Sequence, residues 1–390
     1  MIYHPGRKLK ILSSALFMAE NNESYTAKWT RNRISNLEYM LAVNKAAGRS
    51  ILDCSRYYIM PWCIKSYDTA VIKLNEEIYY RDMSKPIGLM LDNERAAAYQ
   101  DNYSTMVNDK EPFPYYFGTY ISNCTSVLQY LMRIEPVTQS WKAFFGRVHE
   151  SPERIFYSLL KHYRAITTSS QDLKEAIPEF YYMPECFINI NRFGLVEKPS
   201  ENWRIDTVEL PKWSKQNPYH FVYLNRIILE SEIVSRMLPG WIDLIFGINQ
   251  QGKNAIHSKN VYQPSIYPDS ALKLFKEADK KGELLALYSQ IYFFGQCPSQ
   301  LFIKPHSKKV VLTGPLARPN FGARPLDLQA SSCTLKENSP PPTILLGIDL
   351  TDSTLTLITS HNCLQYKVSR QSLLCRLDKQ SQVNRLASRR

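Results

Sequence analysis

No apolar run in this 390-residue chain approaches the roughly 18 to 20 residues that a membrane-spanning helix needs. The longest candidates, 11–19 and 241–248, are short or interrupted by Asp243, so the sequence reads as a protein not integral to a membrane. The eight cysteines, Cys54, Cys63, Cys124, Cys186, Cys297, Cys333, Cys363 and Cys375, have no close CxxC spacing. That argues against a zinc knuckle and a small disulfide scaffold, and leaves packed, reduced thiols of a cytosolic protein as the expectation. Nucleophile elbows, H-E-x-x-H and dinucleotide fingerprints are absent as well.

Positive charge is plentiful in total and scarce where it would matter. Of the formal +12, residues 307–390 hold twelve Lys or Arg against five acids, and the body before them carries 36 bases against 31 acids. Arg7, Lys8 and Lys10 supply three of those bases. A nearly neutral body offers no phosphate-neutralising face, so nucleic acid is not an expected partner. Those three bases precede the apolar 11–19, a pattern signal peptides share, but no small-x-small triplet closes it. On a cytosolic reading the sequons at Asn22, Asn102 and Asn123 carry no glycan.

What is present is globular: 44% hydrophobic and 22% charged residues, enough for a chain of this size to bury about three quarters of its unfolded surface. Such a length fits two or three domains, or one irregular domain of roughly 300 residues. Ser35 with Glu38 makes a capping box, Leu37, Met40, Leu41 and Asn44 follow on one side, and Gly48 supplies a stop, which predicts a helix over 36–47. Ser151 before Pro152 predicts another start, with Ile155, Phe156, Leu159, Leu160 and Tyr163 as its buried stripe. Asn217 before Pro218 predicts one long helix through Phe221, Leu224, Ile228, Val234 and Leu238, broken at Pro239 and Gly240. Further helices fit 126–134, 269–278 and 283–291. Between them, 56–62, 112–117 and 178–187 are aromatic and proline-rich with no period. They are too apolar for solvated loops, so extended backbone is expected to cross the core with side-chain or water partners for its peptide groups. Beyond residue 305 the composition turns to Pro, Gly, Ser and Arg. There 343–348 and 355–358 read as about one hairpin, and the basic, polar last fourteen residues read as disordered.

Chemistry-bearing patterns are few. Residues 247–254, Gly-Ile-Asn-Gln-Gln-Gly-Lys-Asn, fall one residue short of a phosphate-binding loop, because Asn254 lacks the hydroxyl that would ligate magnesium. A helix-ending loop is the expectation. His149 and His162 read as ordinary surface or core histidines. Glu179, Glu185 and Asp243 sit among apolar residues, where they are either a general acid and base or buried structural acids accepting N–H bonds; the structural reading is preferred. Arg81 and Asp82 read as a structural ion pair.

In chain order, the longer motifs resemble one family. Trp29, Arg-Ile-Ser-Asn-Leu-Glu-Tyr-Met at 33–40, Asn44, Ala-Gly-Arg-Ser at 47–50 and Pro61-Trp62 look like the opening of a BEACH domain. Tyr-Arg-Asp-Met-Ser-Lys-Pro-Ile-Gly at 80–88 and Ile-Pro-Glu-Phe-Tyr-Tyr-Met-Pro-Glu at 177–185 continue it. Leu-Glu-Ser at 229–231, Trp-Ile-Asp-Leu-Ile-Phe-Gly at 241–247 and Phe-Gly-Gln-Cys-Pro-Ser-Gln-Leu-Phe at 294–302 complete it, and 92–116 is most similar to the neurobeachin branch.

The resemblance implies a mainly α BEACH fold, helices around extended non-periodic core segments, with a short β-rich C-terminal segment. It divides the chain into a basic and apolar segment at 1–24, the BEACH domain at 25–306, a Pro/Ser/Arg-rich linker at 307–342, a β-rich segment at 343–368 and a basic tail at 369–390. It implies a non-enzymatic scaffold or adaptor of membrane traffic, cytoplasmic and peripheral on endomembranes, needing no cofactor or metal. Asn36, Glu38, Tyr39, Trp62, Asp82, Pro86, Glu179, Glu185, Trp241, Asp243, Gly295 and Gln296 become the structural or partner-surface candidates. Family members place a pleckstrin-homology-like domain before BEACH and a WD-repeat propeller after it. Here 24 residues are too few for the first, and 343–368 resembles at most the opening strands of the second. Both are therefore candidate partners in trans, beside other protein partners and a weak anionic-membrane contact through the basic ends. Two alternatives are an enzyme built on Glu179 and Glu185 and a membrane binder acting through those ends. Local departures, Phe-Gly-Thr-Tyr-Ile-Ser at 117–122 for the family's Tyr-Gly-Thr-His-Tyr-Ser, Pro239-Gly240, and Ile248-Asn249 for Tyr-Lys, bear on a local surface and not on the fold.

Overall fold

The chain forms two units, residues 1–319 and 320–390. A computed structural model describes residues 24–310, except 91–92, 146–154, 169–172, 194, 196, 199–202, 205 and 278–280, together with four strands between 345 and 377. The N-terminal basic segment, the Ser151-Pro152 start, His149, most of the 307–342 linker and the last residues of the tail lie outside the described residues.

Local capping chemistry sets several helix starts of the first unit. Helices α1 (Tyr25–Thr30) and α2 (Asn36–Ala46) open on Ser24 and Ser35. At Ser35 the predicted box closes, with Glu38 N–H donating to Ser35 Oγ at 3.2 Å and Ser35 N–H to Glu38 Oε2 at 2.8 Å. Helices α3 (Asn93–Asn108), α4 (Cys124–Tyr130), α5 (Val137–Phe145) and α6 (Leu159–Thr168) follow. Asn123 caps α4 through its side-chain oxygen, so that helix starts two residues before the expected Ser126 and stops at Tyr130 rather than 134. Ile155 and Phe156 are buried as the stripe required but precede α6 as non-helical backbone.

The single helix expected after Asn217 is two. Helix α7 (Pro218–Leu229) stops where Ser231 caps α8 (Glu232–Ile245), and α8 runs straight through Pro239 and Gly240. Pro239 costs the bond that its N–H would give the Ser235 carbonyl, but Leu238, Trp241 and Ile242 around it are fully buried and their packing holds the helix. Gly240 lies where a Cβ would stand 3.3 Å from the Ser84 Cα, so the backbones approach closely there. Helices α9 (Gly252–His257), α10 (Pro268–Glu277) and α11 (Lys281–Phe294) complete the unit, with a two-strand ribbon of β1 (Glu197–Lys198) and β2 (Trp203–Arg204). The architecture is mainly α, as expected.

Irregular backbone does run through the core, and buried amides serve it. Asn44 donates to the Met40 and Ile59 carbonyls, both at 2.9 Å, and accepts from Ile59 N–H at 2.8 Å. Asn225 donates to the Phe180 carbonyl at 3.0 Å, and Asn260 to those of Leu244 at 2.9 Å and Asn249 at 3.0 Å. Apart from the bond to Met40, which lies within α2, these bonds serve peptide groups of irregular segments or of a helix end. Tyr57, Ile59, Met60, Trp62, Tyr116, Phe117, Phe180 and Tyr181 are buried accordingly, whereas Tyr182 stays 46% exposed. The aromatic floor is continuous: the Trp62 ring meets Tyr163 at 5.6 Å and Phe180 at 5.5 Å, and Phe180 meets Tyr130 at 4.9 Å.

In the second unit the expected hairpin is a four-stranded antiparallel meander: β3 (Leu345–Leu350), β4 (Thr354–Thr359), β5 (Cys363–Ser369) and β6 (Ser372–Leu377), in that order. Ile348 stands opposite Leu357, Leu357 opposite Leu364, and Tyr366 opposite Leu377. Strand structure thus extends into the segment read from sequence as tail.

Candidate functional site

Glu175 is the carboxylate around which the first unit is tied. It is 3% exposed and precedes the Pro178 turn. Its Oε2 accepts from Trp62 N–H at 3.0 Å and from Arg81 Nη1 at 2.8 Å, and its Oε1 accepts from Trp241 Nε1 at 3.1 Å. Arg81 therefore pairs with Glu175 and not with Asp82. Asp82 is exposed, accepts from Ser84 N–H at 3.1 Å and reaches Lys85 at 3.3 Å, which corrects the expected Arg81–Asp82 pair. Trp62 also donates its Nε1 to the Lys174 carbonyl at 3.1 Å, and Pro86 is buried, leading into a tight turn at Ile87–Leu89.

A second knot holds the start of α2. Glu230 accepts from Asn36 N–H at 2.7 Å and Leu37 N–H at 3.0 Å, placing a carboxylate at a helix N-terminus where unpaired N–H groups and the helix dipole favour it. The Asn36 side chain donates to the Leu229 carbonyl at 2.7 Å and Ser235 Oγ at 2.9 Å, and its Oδ1 accepts from Trp29 Nε1 at 2.7 Å and Lys309 Nζ at 3.0 Å. Glu38 is exposed and occupied by its cap.

The exit segment is clamped by a third set. His306 Nδ1 faces the Ser307 carbonyl at 2.9 Å, and since a carbonyl only accepts, Nδ1 carries the proton and Nε2 accepts from Tyr39 Oη at 2.6 Å. Asp243 accepts from His306 N–H at 2.9 Å. Burial pushes the Asp243 carboxyl up to about 6, against the His306 N–H bond that lowers it. Burial pushes the His306 imidazole down to about 4, so it stays neutral. Burial raises the Tyr39 phenol as well.

Glu179 accepts at Oε1 from Tyr57 Oη at 2.7 Å and Tyr182 Oη at 3.0 Å, while its buried Oε2 has no partner. Burial raises its pKa, opposed by the Tyr57 hydroxyl. Glu185 is only half-buried, which corrects its reading as a deeply buried acid. Gly295 has φ +77° and a Cβ there would stand 2.3 Å from the Ser122 carbonyl oxygen, so only glycine fits. That bend brings the Gln296 carbonyl onto the buried Arg49 guanidinium. His162 is buried, with Nε2 unpartnered and a pKa held well down by burial, so it is a core residue.

These groups do not form one reaction centre. A cavity of about 530 Å³ lies between the 47–56 turn, α10, α11 and residues 296–299, and neither Glu179, Glu185, Glu175 nor Asp243 lines it. Among the described residues no three metal-ligating side chains gather, and no helix is long and apolar enough to cross a membrane. Lys253, the lysine of the near-phosphate loop, is exposed on the six-residue α9. The arrangement is one of carboxylates fixing distant segments to one another.

Residues 27–309 match the family model of the Beige/BEACH domain. The chain belongs to the BEACH family. It is 34% identical over 349 residues to BEACH domain-containing protein B of Arabidopsis thaliana, covering 90% of this chain and 13% of that protein. It is 36% identical over 301 residues to Beige protein homolog 1 of Schizosaccharomyces pombe, covering 76% of this chain and 11% of that protein. A putative neurobeachin homolog of Caenorhabditis elegans is 36% identical over 280 residues, covering 72% and 11%. The chain thus spans only about a tenth of the length of these relatives. In this BEACH domain Asn36, Tyr39, Trp62, Trp241 and Asp243 are legible as candidates in the sequence; Glu230 and Arg49 lie inside the motifs at 229–231 and 47–50 with no role that sequence assigns them, and Glu175 lies outside every motif. Glu175 carried one usable signal, a lone acid between Leu173 and Ala176-Ile177 just before the Pro178 motif.

Proposed function

We propose that this BEACH domain is a non-enzymatic scaffold of membrane traffic, cytoplasmic and peripheral on the cytosolic face of endomembranes. It would present protein-binding surfaces for vesicle, endosome or lysosome-related cargo sorting. The observation that carries the reading is the use made of the buried acids: Glu175, Glu230 and Asp243 accept N–H groups from segments far apart in sequence. Carboxylates committed in this way hold distant segments, and the surfaces built on them, in place. Pleckstrin-homology-like or WD-repeat domains of other chains, and anionic lipid at the basic ends, are the further partners this reading allows, with no cofactor required.

The enzyme alternative has one observation in its favour, the unpartnered Glu179 Oε2. The experiment that separates the readings is nucleotide and ester turnover by the purified chain. No saturable hydrolysis of ATP, GTP or p-nitrophenyl acetate is expected, and Lys253→Ala and Glu179→Gln should leave that background unchanged. Saturable turnover abolished by either substitution refutes the scaffold reading.

A further inference from the structure

Arg49 is a buried cation with no carboxylate. It is 5% exposed, and its guanidinium donates to the Tyr57 carbonyl at 3.2 Å, to Ser122 Oγ at 3.3 Å and to the Gln296 carbonyl. Those are three neutral acceptors against five N–H donors. The Tyr120 ring lies 5.4 Å from its centre, a weak counter to a full charge. The nearest acid on its own turn, Asp53, is committed to Ser55 N–H at 2.9 Å and Ser55 Oγ at 2.6 Å. Burial lowers the Arg49 pKa, and the neighbouring Arg56 charge adds to that effect while the Asp53 charge opposes it. Two like charges sit together, and the described residues supply no ion pair to either.

Both arginines line the cavity of about 530 Å³, a volume within the usual range of about 300–1,000 Å³ for ligand sites. Its other wall is apolar: Leu272 and Phe275 of α10 face Tyr288, Ile291 and Tyr292 of α11. Phe275 and Tyr288 have ring centroids 4.6 Å apart, yet Tyr288 remains 47% exposed. Elsewhere on α11 Leu285 is 67% exposed, and Phe293, 43% exposed, packs at 5.5 Å on Phe144. A helix this apolar on its open side is unusual for a surface without a partner. One end of the groove thus calls for an anion and its flank for large apolar side chains.

We propose that this groove docks a peptide segment of a partner protein in which an acidic residue, paired with the Arg49 and Arg56 end, is followed by large aromatic or aliphatic side chains laid along α11. The proposal rests on the scaffold reading for the occupant being a protein, and it names where and by what chemistry that protein is held. An anionic lipid would satisfy the cationic end as well, but the apolar wall is built of discrete side chains from two helices, Phe275 of α10 against Tyr288 of α11 with Ile291 and Tyr292 beside them, which suits side-chain anchors.

The test is selection from a random dodecapeptide phage library on the whole chain, followed by fluorescence anisotropy of the recovered peptides. Sequences joining Asp or Glu to Phe, Trp or Leu should be enriched. Arg56→Glu and Tyr288→Ala, both exposed and outside the folding knots, should each weaken binding about 10-fold or more without shifting the melting temperature. Neutralising the peptide acids should weaken it similarly. Enrichment of basic or charge-free motifs, binding indifferent to both variants, or displacement of the peptide by phosphatidylserine vesicles each overturns the proposal. If selected peptides bind the chain but ignore the groove variants, the groove fails while the scaffold reading stands; if no peptide is enriched, the groove fails on its own terms.

Discussion

Replacing Glu175 by glutamine should cost the fold a large part of its stability. Arg81 is 1% exposed at its side chain and lies 2.7 Å from the carboxylate, so the substitution strands a buried guanidinium, and removing one partner of a buried pair costs about 3–5 kcal/mol. The bonds from Trp62 N–H and Trp241 Nε1 are charge-assisted; an amide oxygen reduces them by about 1 kcal/mol in all, and the amide N–H₂ faces donors rather than acceptors. The sum, about 4–6 kcal/mol, is comparable with the whole stability of an ordinary domain, about 5–15 kcal/mol. Urea unfolding followed by tryptophan fluorescence measures it, with Trp62 and Trp241 as reporters at the perturbed site. Arg81→Met should cost nearly as much, and the double variant less than the two combined, with a coupling of about 2–3 kcal/mol. A Glu175→Gln protein within about 0.5 kcal/mol of wild type would refute the tying role of this carboxylate.

Two further outcomes follow from the exit clamp and the core bend. Asp243, raised to about 6 from 3.8, stabilises the fold at acid pH and loses that contribution as pH rises through 6, whereas His306, lowered to about 4 from 6.5, loses its contribution as pH falls from 6.5 through 4. The two effects oppose each other in the wild type; Asp243→Asn removes the aspartate contribution and leaves the histidine's, so relative to wild type the variant should lose stability as pH falls below about 6, read from urea midpoints. A difference curve flat over that window contradicts the assignment. Gly295→Ala, at φ +77° and against the Ser122 carbonyl, should destabilise by about 2–3 kcal/mol in the same assay, and a neutral result would mean that the bend relaxes freely.

Legibility in the sequence follows the range of the interaction. Ser35 and Glu38, or Asn217 and Pro218, fix helix starts through neighbours two to three residues away, and both starts are where the chain alone places them. Glu175 is different: its partners Arg81, Trp62 and Trp241 are 94, 113 and 66 residues away, and no local pattern announces them. Pro239 misled because the local rule ignores the burial of Leu238, Trp241 and Ile242 that outweighs it. Strand β5 falls within the β-rich 343–368, but β6 lies in the segment read as tail, where Arg376 and the bases that follow it dilute the apolar signal on which a strand reading depends. Motif order carried the family, because such motifs are the segments whose peptide groups the buried amides and acids must meet.

The scaffold reading is tested most directly by proximity labelling with a biotin ligase fused to the chain in its native cell. The account predicts enrichment, over the free ligase, of proteins resident on the cytosolic face of endomembranes. A labelled set with no such proteins, or one dominated by the soluble substrates of a single reaction, would contradict it.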